Sequence, residues 1–137
     1  MTPTPALPSP QSLRAFWLMG LLLVAGVIVV CLLPARNLPG TGINDKVEHA
    51  IAFLVMALWF AGLIARRDSL YLLLALIALG GSIEIAQGLM GLGRNADPLD
   101  LLADSAGALL GVALSLTPLG RCVQWLDQSV QRLRGLR

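Results

Sequence analysis

Charge is scarce in this chain. Of 137 residues, only 13% are Asp, Glu, Lys or Arg, about half the share usual in soluble domains. That scarcity excludes a disordered tail, which stays unfolded because it is polar and charged. Two cysteines are too few for a disulfide-stapled secreted module. A net charge of +2 is too small for a nucleic-acid surface, so nucleic acid is not an expected partner. The single histidine is few for zinc, and no paired-ligand motif accompanies it. No metal and no cofactor are expected. Set against this poverty is a 56% hydrophobic content. A soluble domain this small exposes too much surface to hide so many apolar side chains. An integral membrane protein remains.

Proline is missing where helices need it to be missing. All eight prolines, at 3, 5, 8, 10, 34, 39, 98 and 118, fall outside or at the ends of four apolar runs. The runs cover residues 16–33, 47–65, 70–90 and 99–119, each near the ~20 residues that cross a bilayer core. None alternates apolar and polar residues as barrel strands do. The expected fold is all-α, an integral membrane four-helix bundle over 14–120. A Pro-rich leader at 1–13 is expected to be disordered. The first run is too long for a signal-peptide core and lacks a small-residue cleavage site, so it reads as an uncleaved helix. Residues 121–137 form a basic segment in which Val123, Leu126, Val130 and Leu133 recur at helical spacing. It reads either as an amphipathic cytoplasmic helix on the membrane surface or as a solvated basic tail.

Lys and Arg counts set the orientation. With the N-terminus inside, Arg14, Arg66, Arg67, Arg121, Arg132, Arg134 and Arg137 face the cytoplasm, against Arg36, Lys46 and Arg94 outside. Seven against three favours both termini in the cytoplasm of an inner-membrane protein. Cys31 and Cys122 then lie at opposite faces and cannot pair.

Ionisable groups inside spans are costly and mark functional sites. Here they are Glu48 and His49, then Glu84 with Gln87, then Asp100 and Asp104. At ~1.5 Å per residue, all fall within roughly 10 Å of the outer interface on three antiparallel helices. Part of this is helix capping. Asp45 and Glu48 have capping-box spacing, and Asp97 before Pro98 is a good N-cap. Capping does not account for His49, Glu84 or Asp104, which are the candidates for acid–base work. Asp100, Asp104, Gly107 and Gly111 form one stripe, whose glycines allow close helix packing. Arg94, in the loop above, is placed to pair a carboxylate or hold a phosphate.

The segment DKVEHAIAF resembles the D-K-x-x-H-x-x-x-F signature of the VanZ-like membrane proteins, named after a teicoplanin-resistance protein. Glu84, Gln87, Arg94, Asp100, Asp104 and Gly107 resemble that family's second block. The resemblance spans about residues 45–111 and adds Lys46 to Gln87, Arg94 and Asp100 as ligand-binding candidates. The family usually carries Asn at the position of Asp104. That departure implies either a protonated Asp104 or a new partner for it. The resemblance further implies a cell-envelope protein that modulates susceptibility to a lipid-tailed glycopeptide antibiotic.

Two functions follow. The favoured one is a non-enzymatic envelope protein whose polar cluster binds a lipid head group or such an antibiotic at the outer leaflet, with membrane lipids as partners. The alternative is an intramembrane enzyme or lipid-handling protein acting on an anionic, phosphate-bearing lipid, with His49 as acid or base and a carboxylate orienting it.

Overall fold

Helix α1, Pro10–Leu32, opens on a proline, which suits the first helical position because the N–H it lacks has no partner there anyway. A computed structural model describes residues 8, 10–34, 42–91 and 95–135. α1 therefore begins inside the stretch read as a leader, and the rest of that leader, residues 1–7 and 9, lies outside the described residues. Ser12 is buried, and its hydroxyl accepts a hydrogen bond from Gln131 Nε2 at 3.2 Å.

α2 runs Asp45–Ala61, α3 Ser69–Met90, α4 Pro98–Ser115 and α5 Cys122–Gly135. The described residues contain no strand. α1, α3 with its preceding 3-10 turn at Arg66–Asp68, and α4 are each long and apolar enough to cross a membrane. α2 differs from the sequence expectation. It has 17 residues, about 25 Å at ~1.5 Å per residue, and stops at Ala61 instead of continuing to Ala65. At the stop, the Gly62 carbonyl accepts from Gln124 Nε2 at 3.0 Å and Val123 packs against Gly62.

α2 is the central helix. Phe53, Met56 and Ala57 on it are fully buried, as is Ala108 of α4. The α2–α4 contact depends on two missing side chains. A Cβ at Gly107 would collide with the Ala50 carbonyl oxygen, and one at Gly111 would stand 2.6 Å from the Leu54 oxygen. Backbone therefore meets backbone at this crossing. α1 leans on α2 through aromatic rings. Phe16 and Trp59 meet edge to face at 6.0 Å, and Trp59 Nε1 donates to the Phe16 carbonyl at 3.1 Å.

The outer faces are apolar. Leu22 and Leu89 are 72% and 82% exposed, and Leu18, Leu70 and Leu102 also point outward. Polar residues go inward instead: His49, Glu84, Gln87, Asp100 and Asp104 are all buried. Such an inside-out arrangement suits a lipid surround, where exposed apolar area costs nothing. α5 is anchored at its start by the fully buried Val123, while Leu126 and Leu133 further along the same stripe are exposed.

Candidate functional site

The cluster begins at helix ends. Asn44, in extended conformation, caps α2 by accepting from the Lys46 N–H at 3.0 Å. The cap is thus one residue before Asp45. Asp45 and Glu48 sit in the first turn, where carboxylates meet the positive end of the helix dipole. Asp97 caps α4, its Oδ1 accepting from the Leu99 N–H at 2.9 Å.

These two helix starts are tied together. Lys46 Nζ donates to Asp97 Oδ2 at 2.6 Å and to Asp100 Oδ1 at 2.8 Å. The Lys46 ammonium, helped by the Leu99 N–H, holds the Asp97 carboxyl below the usual carboxylate range. The backbone N–H of Asp97 in turn donates to Glu84 Oε2 at 2.7 Å, which brings α3 into the network. Gln87, one turn on, donates from Nε2 to the Cys31 carbonyl at 2.8 Å. Cys31 lies in the last turn of α1, where carbonyls lack helical partners. α1 to α4 are thus joined at one end of the molecule by side chains the hydropathy pattern alone would place in lipid.

At the centre, His49 Nδ1 stands 2.9 Å from Asp104 Oδ1, with both side chains buried. Asp104 has room because Gly80 of α3 has no side chain; a Cβ there would lie 2.7 Å from Asp104 Oδ2. Glu84 Oε1 and Asp104 Oδ2 are buried with no hydrogen-bond partner. Two sets of three side chains have ligand atoms within 4.8 Å of one another: Asp45, His49 and Asp100, and His49, Glu84 and Asp104. When Nδ1 carries the imidazole proton and donates it in a hydrogen bond to Asp104, Nε2 is left for proton transfer.

His49 also borders a groove. A cavity of about 450 Å³ runs between α1 and α2, lined on one side by Leu22, Gly26 and Val30 and ending at Asp45, Glu48 and His49.

Of the sequence-derived residues, Lys46, His49, Glu84, Asp97, Asp100 and Asp104 converge through the contacts above. Gln87 lies beside them but bonds to α1. Gly107 and Gly111 serve the α2–α4 crossing. Arg94 lies outside the described residues. Sequence reasoning missed Asn44, Gly80 and the Cys31 carbonyl. Asn before an acidic first turn was a readable cap signal. Gly80 and Gly81, mid-run in α3, were a signal for close approach. A backbone carbonyl leaves no signal in composition.

Comparison with protein-family models, with curated proteins and with solved structures returns no match for this chain.

Proposed function

We propose that this chain is a VanZ-like integral membrane protein of the bacterial cell envelope that binds the polar end of an amphiphile beside His49. The amphiphile is a membrane lipid or a lipid-tailed glycopeptide. In this reading α1 to α4 all cross the inner membrane, with α2 at the short end of the spanning range. Both termini are cytoplasmic, the polar cluster faces the outer leaflet, and α5 lies on the inner surface.

The α1–α2 groove carries the proposal. Its walls, Leu22, Gly26 and Val30, are apolar enough for an acyl chain, and its end at Asp45, Glu48 and His49 is polar. A site with apolar walls and a few convergent polar groups is the usual form of a small-ligand pocket. The surrounding carboxylates favour a head group presenting hydroxyl or amine donors.

One observation supports an enzymatic alternative. The buried His49–Asp104 pair at 2.9 Å has the geometry of a carboxylate-oriented acid–base histidine. In that case the bound lipid is also turned over.

The test is mass spectrometry of lipid that co-purifies with the full chain, compared with Gly26→Leu and Arg94→Ala. A Cβ at Gly26 meets nothing within 4 Å, so leucine there fills the groove without disturbing the backbone. A lipid retained by the native chain and lost from Gly26→Leu supports groove binding. Its chemical conversion over time supports the enzyme. Equal retention by both proteins refutes the groove. Loss of a phosphate-bearing lipid from Arg94→Ala assigns Arg94 to the head group.

A further inference from the structure

Buried carboxylates need compensation. Moving a charged oxygen out of water without a partner is costly, and such groups are normally hydrogen-bonded, paired or bound to metal. Glu84 uses Oε2 on the Asp97 N–H and Asp104 uses Oδ1 on His49. Their other oxygens, Glu84 Oε1 and Asp104 Oδ2, are buried without a partner. Both carboxylates belong to the set whose ligand atoms lie within 4.8 Å of each other and of a His49 ring nitrogen. Asp104 is 0% exposed, His49 5% and Glu84 6%.

We infer that His49, Glu84 and Asp104 form a binding site for one divalent transition-metal cation of the zinc or manganese class. Two carboxylates and a dication sum to zero charge, which suits a dry, low-dielectric interior. One imidazole with two carboxylates is a mixed nitrogen and oxygen set, which these ions accept and which calcium and magnesium, preferring oxygen alone, do not. Three protein ligands leave a fourth position for water or for an oxygen of a bound molecule. Ligand atoms around a tetrahedral ion at ~2.1 Å stand ~3.4 Å apart, inside the 4.8 Å that bounds these three, and the ion takes the place of the proton now shared between His49 Nδ1 and Asp104.

The neighbouring set, Asp45, His49 and Asp100, is a weaker candidate. Asp45 is exposed, and Asp100 already accepts from Lys46 at 2.8 Å. The inference is independent of what fills the α1–α2 groove, because metal content is read on lipid-stripped protein.

The experiment takes the full chain in detergent, strips it with a chelator, and titrates Mn²⁺, Zn²⁺ and Mg²⁺ separately. Metal retained after gel filtration is counted by elemental mass spectrometry. One equivalent of Mn²⁺ or Zn²⁺ per chain is expected, and none of Mg²⁺. Glu84→Gln and Asp104→Asn lose that equivalent, and Asp100→Asn keeps it. The unmodified chain supplies a second readout that does not depend on the variants folding. Pulsed electron-spin resonance of its Mn²⁺ complex shows coupling to one imidazole ¹⁴N, and the chain has a single histidine. The inference is overturned if no Mn²⁺ or Zn²⁺ is retained, or if Glu84→Gln, eluting as folded protein, retains a full equivalent. Absence of the ¹⁴N coupling, or metal loss in Asp100→Asn alone, overturns it equally.

Discussion

His49 Nδ1 and Asp104 Oδ1 meet at 2.9 Å in the interior, joining α2 to α4 fifty-five residues apart in sequence. The pair explains why a chain with so little charge keeps an acid two turns inside an apolar helix. It also gives Asp104 a hydrogen-bond partner inside the molecule. With the proton on Nδ1, the chemistry needed there is acceptance of the His49 N–H. An amide oxygen can do that, whereas an alkyl group cannot.

Asp104→Asn should therefore be milder than Asp104→Leu in chelator-treated protein. Leucine leaves a buried imidazole N–H unpaired, at a cost of about 1–3 kcal/mol. Thermal unfolding of the three proteins in one detergent checks this. Equal losses for Asn and Leu would show that the negative charge itself, not the hydrogen bond, is what His49 requires.

Glycine substitutions should separate two kinds of close packing. Gly80→Ala puts a Cβ 2.7 Å from Asp104 Oδ2 and 3.2 Å from Asp104 Cβ. A shift of one side chain relieves that clash, so the expected loss is about 1–2 kcal/mol. Gly107→Ala drives a Cβ into the Ala50 backbone, which side-chain rotation cannot relieve. A loss of about 3 kcal/mol or more is expected. Denaturation midpoints give the order, and an equal or reversed order contradicts the packing described.

The Lys46–Asp97 pair sets an acid limit. Asp97 has its carboxyl held below the usual range in the folded chain, so its contribution is present above the unfolded value of ~4. That contribution is lost as pH falls through the lower folded value. Both side chains are more than a third exposed, so the effect is small. The difference in unfolding temperature between the native chain and Asp97→Asn should hence shrink between pH 5 and pH 2. A difference that holds constant to pH 2 would contradict the assignment.

The start of α5 belongs to the packed structure. Val123 is fully buried against Gly62, and Gln124 donates to the Gly62 carbonyl. Val123→Ala removes two buried methyl groups and should cost about 1.5 kcal/mol. Truncation after Gly120 should cost at least as much yet leave α1 to α4 folded. Circular dichroism with thermal scans measures both, and an unchanged midpoint for Val123→Ala would detach α5 from the core.

The sequence made the helices legible because apolar runs and proline positions act locally. It misjudged where α2 ends. Gly62 to Ala65 are as apolar as the helix before them, and what stands at the stop is a tertiary contact of Gly62 with Val123 and Gln124, which no local pattern shows. The start of α1 was misread for the converse reason: Pro10 to Ser12 look polar, but Ser12 is buried and meets Gln131. Shared depth brought His49, Glu84, Asp100 and Asp104 together on paper. Depth alone could not reveal that Asp100 serves Lys46 while Asp104 serves His49, because pairing depends on helix rotation. Nor could it reveal Gly80, whose role is the space it leaves.

An imidazole held by Asp104 and facing an amphiphile groove can be observed directly through the chain's single histidine. A ¹⁵N-histidine label gives one imidazole whose two nitrogen signals report on His49 alone. In lipid-stripped, chelator-treated protein, Asp104→Asn should move the Nδ1 signal. Adding back bacterial lipid extract should move the Nε2 signal in the native chain and leave Gly26→Leu unchanged. Signals matching an imidazole free in water, or a native chain indifferent to lipid, would rule out this arrangement of His49.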